Sequence, residues 1–459
     1  MVIHKTSVSI HLLVPILIIT CLLSQSFVPN WSIAVISDEK ESIKSNAPIF
    51  EGQVLPRVII LDPHELVKVK QLVVMKQNDS NVKHFLKKII TEADSVLLKR
   101  PISVTEKTEF PPNGTKHDFF ALARYEWPNP NTPNGLPYIS RDGYTNPETL
   151  LIKDKGYLKE MVQRVMTLAL AGYFTDNPKY TLKAEELLRV WFLDNATFMN
   201  PNLKYGQFER GKDKLNPSGI NDAHDLPFLL DAIGILELSP KWSKSVQEGL
   251  QQWFSNYLDW LLNSDLGKRE GQRANNHGTY YAVQVSAIAF FVNKPDLTKE
   301  LLESTMQDLR NAPLENVSRL ISVKINPDGT QPFEIGRANS LHYHLYNLYG
   351  LVLLARIGDH VGVDLWNYQI HNTGIKKALD FIIPYALGKQ TWPYGQIEPL
   401  DNNALSYLQG IVCQVVLRYN NQSYMQVYRS LDTKDLPVDF QDIICNLQIK
   451  DIDTGTLNN

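Results

Sequence analysis

Two stretches of this chain hold residue types that can move protons and bind charge. The first is Asn275-Asn276-His277-Gly278, with Arg273 just before it and Tyr280-Tyr281 just after. It lies where a polar segment enters an apolar run that ends near Phe291. An asparagine amide can bind a carboxylate, and a histidine can transfer a proton near neutral pH. The competing reading is a helix cap followed by a partly buried histidine. The second stretch is Asn326-Pro327-Asp328-Gly329-Thr330, a turn by composition, followed by Glu334, Arg337, Asn339, His342, Tyr343 and His344. Arg337 and Tyr343 are six positions apart. A regular helix does not put such a pair on one face, whereas a loop or a broken first turn between them lets both point the same way. On their own, Tyr343 and Tyr346 also read as core aromatics.

His277, His342 and His344 raise the question of a metal. Their spacing matches no zinc helix: there is no His-Glu-x-x-His and no Cys-x-x-Cys pair. The chain also lacks a Gly-x-Ser-x-Gly nucleophile elbow, a glycine-rich phosphate loop and a dinucleotide fingerprint. A pair of carboxylates of the glycosidase kind stays open, because spatial pairing is invisible in sequence.

The elements that must position these residues read as helices from about residue 64 onward. Leu158, Val162, Val165, Ala169 and Gly172 recur at helical spacing, and Asp176-Asn177-Pro178 then supplies a capping side chain and a first-turn proline for the next helix. The plan recurs where Tyr281 to Phe291 is broken by Asn293-Lys294-Pro295-Asp296 and a second helix runs through Leu301, Leu302 and Met306. Tyr346 to Ile357, followed by Gly358-Asp359, opens another pair. Helical hairpins of this kind bury their inner faces by closing into a toroid with a groove at one mouth. The expected fold is therefore all-α, an α/α toroid or incomplete barrel of helical hairpins. An α-solenoid is the competing architecture, disfavoured by the unequal hairpin lengths.

The segment from Phe110 to Pro147 breaks the pattern. Its seven prolines, from Pro111 to Pro147, exclude helix over most of its length. A long segment of this kind inside a compact domain is usually a lid or binding loop. It carries Tyr125, Trp127, Tyr138 and Tyr144, whose rings can serve as platforms for sugars or simply pin the loop to the core.

Length and composition fit a folded globular chain: 459 residues, 43% hydrophobic and 21% charged. A formal net charge of -3 gives no sign of a nucleic-acid partner. Lys5, the apolar run Leu12 to Leu23 and Ser24-Gln25-Ser26 read as a signal peptide cut near Phe27. The expected product is secreted and has no stable membrane association once the signal is removed. Loss of Cys21 leaves Cys413 and Cys445, an even pair whose bonding the spacing alone leaves open. Glycosylation sequons begin at Asn78, Asn113, Asn195, Asn316 and Asn421. The expected division is a signal over residues 1–26, an N-terminal arm over 27–63, a catalytic toroid over 64–430 and a polar tail over 431–459.

At its most distinctive residues the chain resembles the alginate lyase family, part of a wider group of α/α-toroid polysaccharide lyases. The matching stretches are Phe119 to Pro128, Pro137 to Gly143 with Asn146-Pro147-Glu148, Asn275 to Gly278, and Asp328 to Glu334 running through Arg337 to Leu341-His342-Tyr343. They keep the family's order over about residues 110–355. The resemblance implies that Asn276, His277, Arg337 and Tyr343 form the catalytic set. Tyr125, Trp127, Arg141, Arg273, Asn275 and His342 are expected along the substrate. The implied reaction is β-elimination on a uronate-containing polysaccharide, with members of the wider group acting on mannuronate, guluronate or glucuronate polymers. No metal or organic cofactor is required. Asn276 and Arg337 would neutralise the C5 carboxylate. Tyr343 would protonate the leaving O4, and either Tyr343 or His277 would take the C5 proton. The alternatives are a catalytically silent carbohydrate-binding relative and an α/α-toroid glycoside hydrolase.

Overall fold

The computed structural model describes residues 48–50, 52–307, 319–399, 402–419 and 421–431. The chain separates into two units, Met1–Asn46 and Ala47–Asn459, and all described residues belong to the second. The signal peptide, most of the arm, the tail after residue 431, Asn316 and Cys445 lie outside the described residues.

Capping chemistry places the helices. Asp62 and Asp79 accept backbone N–H groups at the starts of α1 (Pro63–Met75) and α2 (Ser80–Leu97). The long α3 (Asp154–Thr175) stops at Asp176, whose φ of 53° is left-handed, and Asn177 then caps α4 (Pro178–Leu188) with Pro178 in its first turn. Further along come α5 (Leu226–Leu236), α6 (Lys244–Asn263), the short α7 (Asp265–Gly271) and α8 (Asn276–Phe291). Pro295 opens α9 (Pro295–Glu303), as its place in the sequence implies. Two one-turn helices, α10 (Ile321–Lys324) and α11 (Pro332–Ile335), precede α12 (Ser340–Val361). The remaining helices are α13 (Ile375–Ala386), α14 (Asn402–Tyr419) and α15 (Gln422–Ser430).

One expected boundary moves. The Gly358-Asp359 break is not a break: α12 runs on to Val361 and ends at Gly362, which takes the left-handed conformation with φ 71°. The carbonyl of Gly358 then receives the N–H of Val363 as the chain turns back, so Gly358 is the last-turn acceptor rather than the stop.

Burial divides these helices into two layers. Every residue of α5 is buried, and α3, α8 and α12 are buried on most of their faces. By contrast, α2 buries only the stripe Val82, Phe85, Ile89, Ala93 and Val96, and α6 a similar stripe from Val246 to Leu261. Packing follows the same division. In the inner series, α3 packs on α5, α5 on α8, α8 on α12 and α12 on α14, while α2, α4, α6 and α9 cover it from outside. This is the α/α toroid. Its strands are few and short: Phe120–Leu122 pairs in parallel with Tyr205–Phe208, and Glu126–Trp127 pairs antiparallel with Ile139–Ser140.

The apolar segment preceding α1 is tied to the inner layer. The buried carboxylate of Asp231, on α5, accepts the backbone N–H groups of Ile59, Ile60 and Leu61. Burial pushes this carboxyl up to about 7, against the opposing pull of those three donors. Cys413, on α14, is buried and disulfide-bonded.

Asp231→Ala strips three buried N–H groups of their acceptor. At about 1–3 kcal/mol for each unsatisfied group, the expected loss is at least ~3 kcal/mol, read as a lower urea midpoint with an unchanged slope. An unaltered midpoint would mean that the arm is held by other contacts.

Candidate active site

Asn275, Asn276 and His277 stand at the start of α8. The side-chain oxygen of Asn275 accepts the His277 N–H at 3.3 Å, so its oxygen is taken up by the helix cap. The next residue, Asn276, is almost fully buried. Its backbone N–H and its side-chain amide both donate to the carboxylate of Glu334, at 2.6 and 2.8 Å, and its own side-chain oxygen has no protein partner. His277 is partly exposed and turns Nδ1 toward Oε1 of Glu270 at 2.6 Å. The other oxygen of Glu270 faces Nε of Arg273 at 3.0 Å. Gly278 completes the turn for a steric reason: a Cβ there would stand 1.9 Å from the carbonyl oxygen of Arg273.

Beneath this turn sits Lys324, the last residue of α10. Its buried ammonium reaches the carbonyls of Arg273, Ala274 and Asn275 at 3.3, 3.0 and 3.2 Å. Burial pushes Lys324 down to about 7, while Glu334 pulls it back up. Glu334 itself is raised above the usual carboxylate value by burial, against the donors of Asn276 and the charges of Arg337 and Lys324.

Arg337 and Tyr343 are brought together by a break in the helix. The chain leaves α11 at Gly336 and begins α12 at Ser340, and the guanidinium carbon of Arg337 lies 3.7 Å from the centre of the Tyr343 ring. The long proline-rich segment supplies the partners of both. Asp142 accepts from Nε and Nη2 of Arg337 at 3.1 and 2.5 Å, and from the N–H of Ala338 at 3.1 Å. Burial would raise Asp142, but these donors outweigh it and hold the carboxyl below its ordinary value. The hydroxyl of Tyr125 meets that of Tyr343 at 2.6 Å. Tyr343 is only 8% exposed, and burial drives its phenol well above the usual value despite the opposing charge of Arg337. It is therefore neutral at physiological pH.

The other residues expected along the substrate fall around this set. The Arg141 guanidinium lies 5.3 Å from the Trp127 ring centre, and the Trp127 indole N–H donates to the Tyr144 carbonyl. Tyr144 is exposed. His342 packs edge-on to Tyr343 and close to Tyr407. His344 does not join them. It is fully buried against Phe381 and Trp392, its ring nitrogens have no protein partner, and burial pushes it down to about 3. Among the described residues no cluster of three or more His, Cys, Asp or Glu could hold a metal ion.

Sequence reasoning gave no role to Glu270, Glu334, Asp142 or Lys324. Glu334 and Asp142 lie inside the distinctive stretches, and a charged residue beside a reactive motif is the signal that could have found them. Glu270 and Lys324 carry no such mark.

A toroid of helical hairpins that gathers tyrosine, arginine, asparagine and histidine at the starts of two inner helices has the architecture of a polysaccharide lyase. Comparison with known proteins agrees. The model of the alginate lyase family matches residues 103–392. An alginate lyase from Bacteroides ovatus is similar at 31% identity over 85% of this chain and 98% of that one, with a TM-score of 0.75. A variant of alginate lyase A1-III complexed with tetrasaccharide shares the fold at 17% identity, over 84% of this chain and 94% of that one, with a TM-score of 0.52. No curated protein matches the chain. The chain belongs to the alginate lyase family, and it is a polysaccharide lyase.

Gly278→Ala must displace either the Arg273 carbonyl or the first turn of α8. The expected cost is about 1–3 kcal/mol, typical of overpacking, together with a fall in turnover because Asn276 and His277 share that turn. A wild-type melting temperature and wild-type turnover would contradict the packing described.

Proposed function

We propose that the protein is a secreted lyase that cleaves alginate, or a closely related uronate polymer, by β-elimination. The observation that carries this reading is the stacked pair Arg337 and Tyr343, held from the other side by Asp142 and Tyr125. It sets a fixed cation against a neutral phenol, which suits an acidic sugar whose leaving oxygen needs a proton. The similarity to the Bacteroides ovatus alginate lyase supports the choice of polymer. The basic start, apolar run and small-residue site at the N-terminus support export.

The reaction needs four things from the chain. The C5 carboxylate of the uronate must be neutralised so that charge can flow into it as the C5 proton leaves. Arg337 keeps N–H groups beyond the two given to Asp142, and Asn276 keeps one amide hydrogen beyond the one given to Glu334. A base must take the C5 proton, and His277 is assigned that role through Nε2, since its Nδ1 faces Glu270. The C5–H electron pair then forms the C4–C5 double bond as the C4–O4 bond breaks. Tyr343 gives its proton to the departing O4. The products are a new reducing end and an unsaturated uronate at the new non-reducing end.

The aromatic and basic residues of the proline-rich segment supply the rest of the binding surface. Trp127 and Tyr144 offer ring faces, and Arg141 offers a cation beside them.

The purified protein should raise ultraviolet absorbance from the new double bond on one member of a panel of polymannuronate, polyguluronate, polyglucuronate and a glycosaminoglycan. New reducing ends without that absorbance would make it a hydrolase. Tyr343→Phe should cost about 10²–10⁴-fold in turnover, the usual worth of a general acid, while polymer binding survives. Full activity in this variant would remove Tyr343 from the reaction. Because the Tyr343 phenol is raised, it should remain protonated where ordinary tyrosines near pH ~10 begin to ionise. A spectroscopic tyrosine titration should therefore overlay for wild type and Tyr343→Phe up to about pH 10. One fewer tyrosine titrating in the variant over that range would contradict the buried, neutral phenol.

A further inference from the structure

Glu270 belongs to none of the distinctive stretches, yet it is the most deeply buried charged group in contact with the site. Its relative exposure is 0%, its Oε1 is 2.6 Å from Nδ1 of His277, and its Oε2 is 3.0 Å from Nε of Arg273. Among the described residues, His277, Arg273 and Tyr281 face it. Tyr281 is raised to about 12, first by burial and then by Glu270 itself, and its hydroxyl donates to the Leu261 carbonyl. Glu270 therefore has one cation, one imidazole and a neutral phenol around it.

We propose that Glu270 is a positioning residue that holds His277 with its proton on Nδ1 and its Nε2 lone pair bare, and that Arg273 fixes which oxygen of Glu270 faces the ring. This rests on the reading of His277 as the base. An ionised carboxylate only accepts hydrogen bonds, so the ring nitrogen 2.6 Å away must carry the hydrogen. A neutral imidazole has one ring hydrogen, and Nε2 is then free to accept a proton. Burial keeps water from competing for Nδ1. As the C5 proton arrives on Nε2, the ring becomes a cation and the carboxylate already in place stabilises it. No atom of Glu270 changes partner in the step.

The backbone geometry supports the same assignment. Glu270 lies one residue before the end of α7, and the Arg273 N–H donates to the Glu270 carbonyl. The Arg273 carbonyl is in turn gripped by Lys324. The carboxylate, the arginine and the histidine are thus fixed to one tight turn, so the Glu270 to His277 contact does not depend on a mobile loop.

The test uses the full chain in its resting state, with nitrogen NMR of the histidine rings and His277→Gln to assign the resonance of His277. Wild type should show the tautomer with hydrogen on Nδ1, and the other tautomer in wild type overturns the proposal without any variant. In Glu270→Gln the tautomer with hydrogen on Nε2 should become populated. Turnover should then fall about 10²–10⁴-fold with little change in KM, by analogy with other carboxylate–histidine pairs. Glu270→Asp should recover part of the loss. An unchanged tautomer in a folded Glu270→Gln overturns the proposal whatever the turnover does. A shifted tautomer with unchanged turnover upholds control of the ring by Glu270 and instead removes His277 from the proton transfer.

Discussion

The Glu334 carboxylate joins the two halves of the candidate active site. It takes two hydrogen bonds from Asn276, at the start of one inner helix, and lies three residues before Arg337, at the approach to the next. These partners are 58 positions apart in the chain, so neither helix alone can fix their spacing. A buried carboxylate is costly to place in a protein interior unless its oxygens are paired. Here Asn276 supplies both donors, with the Arg337 and Lys324 charges nearby. Removing the Asn276 donors would leave an unpaired buried charge, at a cost of about 3–5 kcal/mol for such groups. The site is therefore built into the packing of α8 against α12 rather than laid on its surface.

Around that joint, each residue of the proposed catalytic set is restrained from a second direction. Lys324 holds the three carbonyls before Asn276, and Glu270 holds His277 from behind. Asp142 and Tyr125 reach in from the proline-rich segment to hold Arg337 and Tyr343. That segment is itself anchored in the toroid. Lys107 and Asp154 form a buried ion pair at 2.9 Å, and Asp154 also accepts the N–H of Phe120, where the segment's first strand begins. Asp154 is fully buried, and that burial raises its carboxyl to about 6 against the opposing charge of Lys107. The loop thus has fixed ends and contributes fixed partners, which is the condition for a preorganised electrostatic site.

The sequence made the helices readable because capping is local. Asn177-Pro178 and Asn293-Lys294-Pro295 mark their turns within three or four residues, and the structure ends and starts helices there. The same locality made Asn275 to Gly278 readable as a helix start and allowed a broken turn between Arg337 and Tyr343. It misled at Gly358, where a glycine inside a helix resembles a stop and the true stop is the left-handed Gly362. Buried charge was not readable. Glu270, Lys324 and Asp142 look like any surface residue until the fold brings them against His277, the turn at Arg273 and Arg337, the last across 195 positions. His344 shows the reverse case, because its place beside Tyr343 in sequence gave it a promise that helical geometry directs into the core.

A lyase breaks the glycosidic bond by elimination, with no water added across it. Digestion of alginate in water enriched in heavy oxygen, followed by mass spectrometry of the released oligosaccharides, separates elimination from hydrolysis. Elimination gives products that carry no heavy oxygen from the cleavage step and are lighter by one water than the corresponding hydrolysis products. Incorporation of one heavy oxygen per bond broken, in products of full hydrolytic mass, would contradict it.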